Sequence, residues 1–190
     1  MENLAYIDET WEELLDGKIV AMSPRPAANH NFTAENIHWI FKNYLRGNKP
    51  CRAIIDGIDV HLTEKDIVVP DVMIVCNMDI VKKDGIHGVP DLIVEVLSPA
   101  TAKNDKGYKK DLYEKCGVKE YWIVDTENRS IEVYLLENNK YTLDNVYSIY
   151  PDYIIAKMKE EEKAAIIHEF RTSLFNDLVV KLEDVFEGLL

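Results

Sequence analysis

Two stretches set the architecture of this chain: Val68-Val69-Pro70-Asp71-Val72-Met73-Ile74-Val75 and Pro90-Asp91-Leu92-Ile93-Val94-Glu95-Val96-Leu97-Ser98. Both are rich in β-branched residues and apolar on both parities, the pattern of strands covered on both faces. Each also carries an acid where water should be scarce. Asp71 stands at the mouth of the first run, and Glu95 interrupts the second. An ionised carboxylate taken out of water costs several kcal/mol unless a cation meets it. The two runs therefore predict strands and, with them, a cationic partner.

Further strand-like stretches occur at 51–55, 58–62, 120–125 and 130–135, the last two joined by the polar turn 126–129. A short amphipathic helix is expected at 8–14, turning Trp11, Leu14 and Leu15 inward. The Asp16-Gly17 turn leads from it into a strand at 18–22, and Pro24 and Pro26 then break the chain. A longer helix is expected at 30–46, where His30, Ala34, Ile37, Phe41 and Tyr44 recur at helical spacing before Gly47. A second helix at 105–116 opens at Asn104 or Asp105 and stops at Gly117. Beyond residue 140 the sequence offers only an edge strand near 178–182 and a closing helix. The order predicts a single α/β (α+β) domain over 1–190 with a mixed sheet, its core at about 13–136 and C-terminal additions over 137–190.

At 190 residues and 47% hydrophobic content, the chain suits one well-buried domain. Its net charge of -12 excludes a bulk-electrostatic nucleic-acid coat, yet a bound metal and a local lysine cluster can still serve a nucleic-acid enzyme. No apolar run approaches the ~18–20 residues that cross a bilayer. The first residues lack the basic and apolar blocks of a signal peptide. Three cysteines, Cys51, Cys76 and Cys116, are too few and scattered for a disulfide framework or a zinc site, which points to a reducing cytoplasm.

The second helix supplies the awaited cation. Lys109, Leu112, Tyr113 and Cys116 stand at i, i+3, i+4 and i+7, so Lys109 lies inside the inward stripe while Lys110 points to water. Packed back on the sheet, that helix brings the ammonium near Glu95. Two carboxylates and a lysine at a sheet edge suit metal-assisted phosphodiester hydrolysis. The carboxylates are hard-oxygen ligands for Mg²⁺, and the lysine orients water and offsets transition-state charge. Asp91, about 13 Å from Glu95 along the strand, reads as structural. Tyr113, Tyr121 and Trp122 read as core, and Cys116 as inert.

Pro70-Asp71, with Glu95-Val96 following after 24 residues, resembles the PD-(D/E)XK nuclease superfamily. More narrowly, the chain resembles the Uma-two family of restriction-type endonucleases. The likeness runs through Glu13-Leu-Leu-Asp-Gly17, Met22-Ser-Pro24 with His30, Val69-Pro-Asp-Val72, Pro90 to Pro99, Lys109-Lys-Asp-Leu-Tyr113 and Gly117 to Asp125. It implies a restriction-endonuclease-like αβββαβ core and a Mg²⁺- or Mn²⁺-dependent endonuclease acting on DNA. It also implies Asp71, Glu95 and the Val96 carbonyl as metal ligands. The superfamily's lysine position holds Leu97 here, and the family resemblance moves that role to Lys109, the residue the stripe had already singled out. His30 and Glu13 gain from the resemblance a supporting role beside the metal. From spacing alone His30 reads as a packing histidine and Glu13 as a helix-end charge.

Other readings stay open. A Glu95–Lys109 salt bridge without metal would make the chain a catalytically inactive nuclease-fold interaction module. The six lysines of 103–119 form either a cationic patch or a solvated helix face. A glycosidase needs two carboxyls flanking a sugar cleft, and no exposed aromatics suggest one. Symmetric cutting of two strands favours a twofold homodimer, which no motif here specifies.

Overall fold

The computed structural model describes residues 12–21, 27–47 and 49–190. Strands β1 (Glu12–Leu15) and β2 (Lys18–Ala21) form a hairpin ahead of helix α1 (Ala28–Tyr44). There follow β3 (Arg52–Ile55), β4 (Val60–Thr63), β5 (Asp66–Val68), β6 (Val72–Val75), β7 (Val81–Lys82), β8 (Gly85–His87) and β9 (Leu92–Val96). A helical segment comes next, made of α2 (Ala102–Asn104), a π-helical turn (Asp105–Lys109) and α3 (Lys110–Cys116). The chain continues through β10 (Glu120–Asp125), β11 (Ser130–Glu137), β12 (Lys140–Ser148), α4 (Asp152–Ile155) and α5 (Glu160–Ala164). It closes with β13 (Glu169–Arg171), β14 (Val179–Lys181) and α6 (Leu182–Val185).

The central sheet runs β12-β11-β10-β9-β6-β3 and is mixed. Only β9 and β10 are parallel, and the helical segment supplies their crossover. Read in chain order, α1, β3, β6, β9, the helical segment and β10 give the expected αβββαβ core. Every residue of β6 and β9 is buried, as the apolar runs require. Ile37 and Phe41 of α1 cover one face, packing on Ile74, Val94 and Trp122 together with Phe170 and Val185 from the C-terminal elements. Leu112 and Tyr113 of α3 cover the other face, against Met73, Ile93 and Tyr121. A second sheet, β2-β1-β5-β4-β8-β7, adds Val60, Val68 and Ile86 to that side.

Several expectations need correction. Residues 12–14 belong to a strand, not a helix, and the rest of the 8–14 expectation lies outside the described residues. The Asp16-Gly17 turn decides the matter. Both residues have positive φ (51° and 72°), the geometry of a two-residue hairpin, which demands strands on either side. The predicted breaker at 23–26 also lies outside the described residues. The same turn chemistry recurs at Asn138 and Asn139 (φ 52° and 61°), and it makes β12 the partner of β11. That strand was not expected, because most of it faces solvent and shows little apolar alternation. The second helix begins at Ala102, so Asp105 is no cap. Cys51 and Cys76, neighbours across β3 and β6, form a disulfide, and only Cys116 is free. Cysteine count alone therefore does not indicate a reducing compartment. No helix among the described residues is long and apolar enough to cross a membrane.

Glu120 ties the C-terminal elements to the sheet. It is fully buried. One carboxylate oxygen accepts from Trp122 Nε1 (2.7 Å), and the other accepts from the backbone N–H (2.7 Å) and hydroxyl (2.5 Å) of Ser173. Burial holds its pKa above the ordinary carboxylate range, although these donors oppose the shift. Both oxygens face N–H groups, so the amide of Glu120→Gln must turn a donor toward a donor. We expect a loss of about 1–3 kcal/mol in urea unfolding. A native pKa above the unfolded one means that this group's stability contribution is full below the unfolded value and declines as pH rises through the native value. The gap between wild type and Glu120→Gln should therefore narrow across that window, and a gap that widens would contradict the assignment.

Candidate functional site

Antiparallel register brings the two anomalous acids together. Val72 of β6 pairs with Val94 of β9, so one step further sets Asp71 opposite Glu95 on the same face of the sheet. The two strand ends are also clamped: Asp71 Oδ2 accepts the Val96 N–H at 2.6 Å. From the first turn of α1, His30 Nε2 approaches Asp71 Oδ1 to 3.4 Å. Burial opposes protonation of His30, but the hydrogen bond and charge of Asp71 outweigh it, helped by Asp56 and the Val96 carbonyl. The His30 pKa is raised as a result.

On the face covered by the helical segment, Lys109 is 2% exposed and surrounded by acids. Its Nζ lies 2.9 Å from Glu13 Oε1, 2.9 Å from Glu95 Oε1 and 3.4 Å from Asp105 Oδ1. Tyr113 donates its hydroxyl to Glu95 Oε1 at 2.6 Å, and the Val69 N–H donates to Glu13 Oε1 at 3.0 Å. The π-helical turn carries both Asp105 and Lys109 into this cluster, a distortion often found at functional sites. Tyr108 pins the turn to the second sheet by donating to Asp66 Oδ1 at 2.6 Å.

The electrostatics are unbalanced. Glu13, Asp71, Glu95 and Asp105 face one ammonium and one imidazole. Burial drives the Glu95 carboxyl well above its ordinary range, against the pull of Lys109, and the neighbouring acids Asp105, Asp71 and Glu13 add to the rise. Asp105 rises for the same first reason, burial. Burial alone would discharge Lys109, but Glu95, Glu13 and Asp105 together hold it firmly charged. Two buried atoms in this region, His30 Nδ1 and Asp105 Oδ1, have no hydrogen-bond partner among the described residues.

Asp71, Glu95, Val96, Lys109, His30 and Glu13 thus converge. Glu13 is a strand residue inside the cluster rather than a helix-end charge. Asp105 went unrecognised in the sequence, where its one signal was a spacing of four residues before Lys109. Asp91 is structural, accepting from the Cys76 N–H and from Lys119 Nζ. Three of the six lysines of 103–119 have acidic partners. Lys106 pairs with Glu132, Lys119 with Asp91, Lys110 lies over the Tyr134 ring and Lys109 is buried. Among the described residues no three His, Cys, Asp or Glu side chains form a ready-made metal cage. A divalent cation would rest on the carboxylates of Asp71 and Glu95 and on the Val96 carbonyl. Those hard-oxygen donors, in a cluster rich in acidic groups, would suit Mg²⁺ or Mn²⁺.

Comparison with known proteins agrees with the fold. A crystal structure from Anabaena variabilis ATCC 29413, described as "a putative nuclease belonging to DUF820", superposes with a TM-score of 0.70 over 96% of this chain and 93% of that one. At 19% identity, that likeness is one of fold. The "Uncharacterized protein slr1290" of Synechocystis sp. (strain ATCC 27184 / PCC 6803 / Kazusa) is 29% identical over 124 residues, 64% of each protein, so the match spans less than two thirds of that relative. The family model described as "Uma2: Putative restriction endonuclease" matches residues 4–171. That span holds Glu13, His30, Asp71, Glu95 and Lys109 together, and the chain belongs to the Uma2 family.

Proposed function

We propose that this chain is a divalent-metal-dependent endonuclease that hydrolyses DNA phosphodiester bonds in the PD-(D/E)XK manner. The observation that carries the reading is the excess of acid: four carboxylic groups face one lysine and one histidine in a largely buried cluster at the end of two strands. Asp71, Glu95 and the Val96 carbonyl would hold Mg²⁺ or Mn²⁺. A divalent ion held by these groups would supply Lewis-acid polarisation of a phosphoryl oxygen and a more acidic bound water. The His30 contact and the Val96 N–H fix the orientation of Asp71. Tyr113 and Lys109 both engage Oε1 of Glu95. Lys109 has three N–H donors and three carboxylate neighbours, so it acts first as a fixed positive charge behind Glu95. It orients water only by exchanging one of those partners.

The inactive-module reading needs a self-sufficient Glu95–Lys109 pair. Here Lys109 is shared among three acids, which favours a further cation. The test is cleavage of a DNA duplex by the purified chain. Cutting is expected with Mg²⁺ or Mn²⁺, to stop in EDTA and to return when metal is restored. A folded protein that cuts DNA with no divalent metal supplied would overturn the proposal, and so would one that cuts equally well in EDTA.

A further inference from the structure

Asp66, the first residue of β5, is only 6% exposed and forms none of the ion pairs among the described residues. Hydrogen-bond donors from three separate segments take the place of a cation. Oδ1 accepts the Asp16 N–H of the β1–β2 turn at 2.9 Å and the Tyr108 hydroxyl of the π-helical turn at 2.6 Å. Oδ2 accepts the Thr63 hydroxyl at the end of β4 at 2.5 Å. Burial opposes charge on this group, but the three donors outweigh it and hold the carboxyl below its ordinary range. The Gly17 N–H ties the same hairpin turn down again, donating to the Lys65 carbonyl at 2.9 Å.

Two of these segments carry residues of the acid-rich site. Asp16 follows Glu13 by three positions, and Tyr108 directly precedes Lys109. Their donors converge on one oxygen of Asp66, and Glu13 and Lys109 themselves meet at 2.9 Å. The π-helical turn is held from its other side as well, where Tyr121 of the central sheet donates to the Asp105 carbonyl at 3.0 Å. We propose that Asp66 is a positioning residue for the reaction, a hydrogen-bonded latch that sets the hairpin bearing Glu13 against the turn bearing Lys109. The inference rests on the nuclease reading and deepens it by naming what fixes the lysine behind Glu95. A lysine ends a flexible four-carbon stem, so its ammonium stays among its acids only if the backbone beneath it and the acids facing it are both held. Asp66 acts through those two side chains alone.

The test compares steady-state cleavage of a DNA duplex at saturating Mg²⁺ in Tyr108→Phe, Asp66→Ala and Asp66→Asn. Tyr108→Phe and Asp66→Ala should lower kcat by about 10–100-fold, the effect of a displacement of about 1 Å, with KM near wild type. Asp66→Asn should recover most of the rate, because the amide oxygen keeps both donors of Oδ1 and the amide N–H can donate to the Thr63 oxygen. A second readout needs no cutting. The Val69 N–H donates to Glu13 Oε1, so its hydrogen exchange in the metal-free protein reports whether Glu13 stays seated. Tyr108→Phe should speed that exchange about 5-fold or more, the effect of one lost hydrogen bond, while amides of β9 and β10 keep their wild-type rates. Val69 exchange unchanged in Tyr108→Phe overturns the proposal. So does wild-type kcat in that variant, a loss confined to KM, or Asp66→Asn as impaired as Asp66→Ala. If Asp66→Ala does not fold, Tyr108→Phe decides by itself. A wild-type chain that cuts no DNA would remove the nuclease reading, and Val69 exchange would then decide the latch alone.

Discussion

Lys109→Met is expected to destabilise the protein by about 3–5 kcal/mol, the effect of removing one partner from a buried charge cluster. Three carboxylates surround the ammonium within 3.4 Å. Without it they must protonate or pay their full desolvation. That requirement gives the loss a pH signature. Burial already raises the Glu95 and Asp105 carboxyls above their unfolded values, and deleting the opposing charge raises them further. Groups with raised native pKa values bind protons more tightly when folded, so the variant should recover stability in acid and lose it as pH rises through those values. Adding Glu13→Gln, which removes one of the stranded acids, should restore part of the loss, a coupling measurable in a double-mutant cycle. Turnover should fall as well, by about 10²–10³-fold, the usual effect of deleting one group that stabilises transition-state charge. A Lys109→Met protein as stable as wild type at neutral pH would mean that the cluster is not held by that ammonium.

Asp71→Asn has the larger effect on catalysis. Asp71 sits at the strand mouth with 14% of its side chain exposed, so an isosteric amide should fold. It nonetheless removes one of only two carboxylates proposed to hold the metal. Losing an outer-sphere partner costs a metal site about 10–100-fold, and loss of a direct ligand should exceed that. DNA cleavage by Asp71→Asn should therefore drop below detection at metal concentrations that saturate wild type, while the unfolding midpoint stays close to wild type. Residual cutting within 10-fold of wild type, an order-of-magnitude threshold set by that outer-sphere range, would remove Asp71 from the reaction.

Much of the core was legible because its strands are covered on both faces. Continuous apolar runs at 72–75 and 92–96 leave little choice but buried strands, and an acid in such a run identifies itself by its desolvation. The inward stripe of Lys109, Leu112 and Tyr113 was readable for a related reason: a charge at a core position of a helix needs a partner. The signals failed where local chemistry overruled periodicity. Trp11, Leu14 and Leu15 have helical spacing, but the Asp16-Gly17 turn makes Glu12 to Leu15 a strand, and with that change Glu13 moves from a helix end into the site. Asp105 was hidden because acids near helix starts are ordinarily caps. The π turn that buries it leaves no pattern in the sequence. The Cys51–Cys76 disulfide depends on strand pairing between β3 and β6, which spacing alone does not give.

Calorimetric titration of Mn²⁺ into wild type and Asp71→Asn puts the acid-rich pocket to the test without relying on any assay of cutting. Wild type should bind the ion tightly enough to saturate below about millimolar concentration, a binding free energy of more than about 4 kcal/mol, and the variant should show no such event. Equal isotherms for the two proteins, or no heat from either while both remain folded, would mean that these carboxylates do not hold a divalent cation.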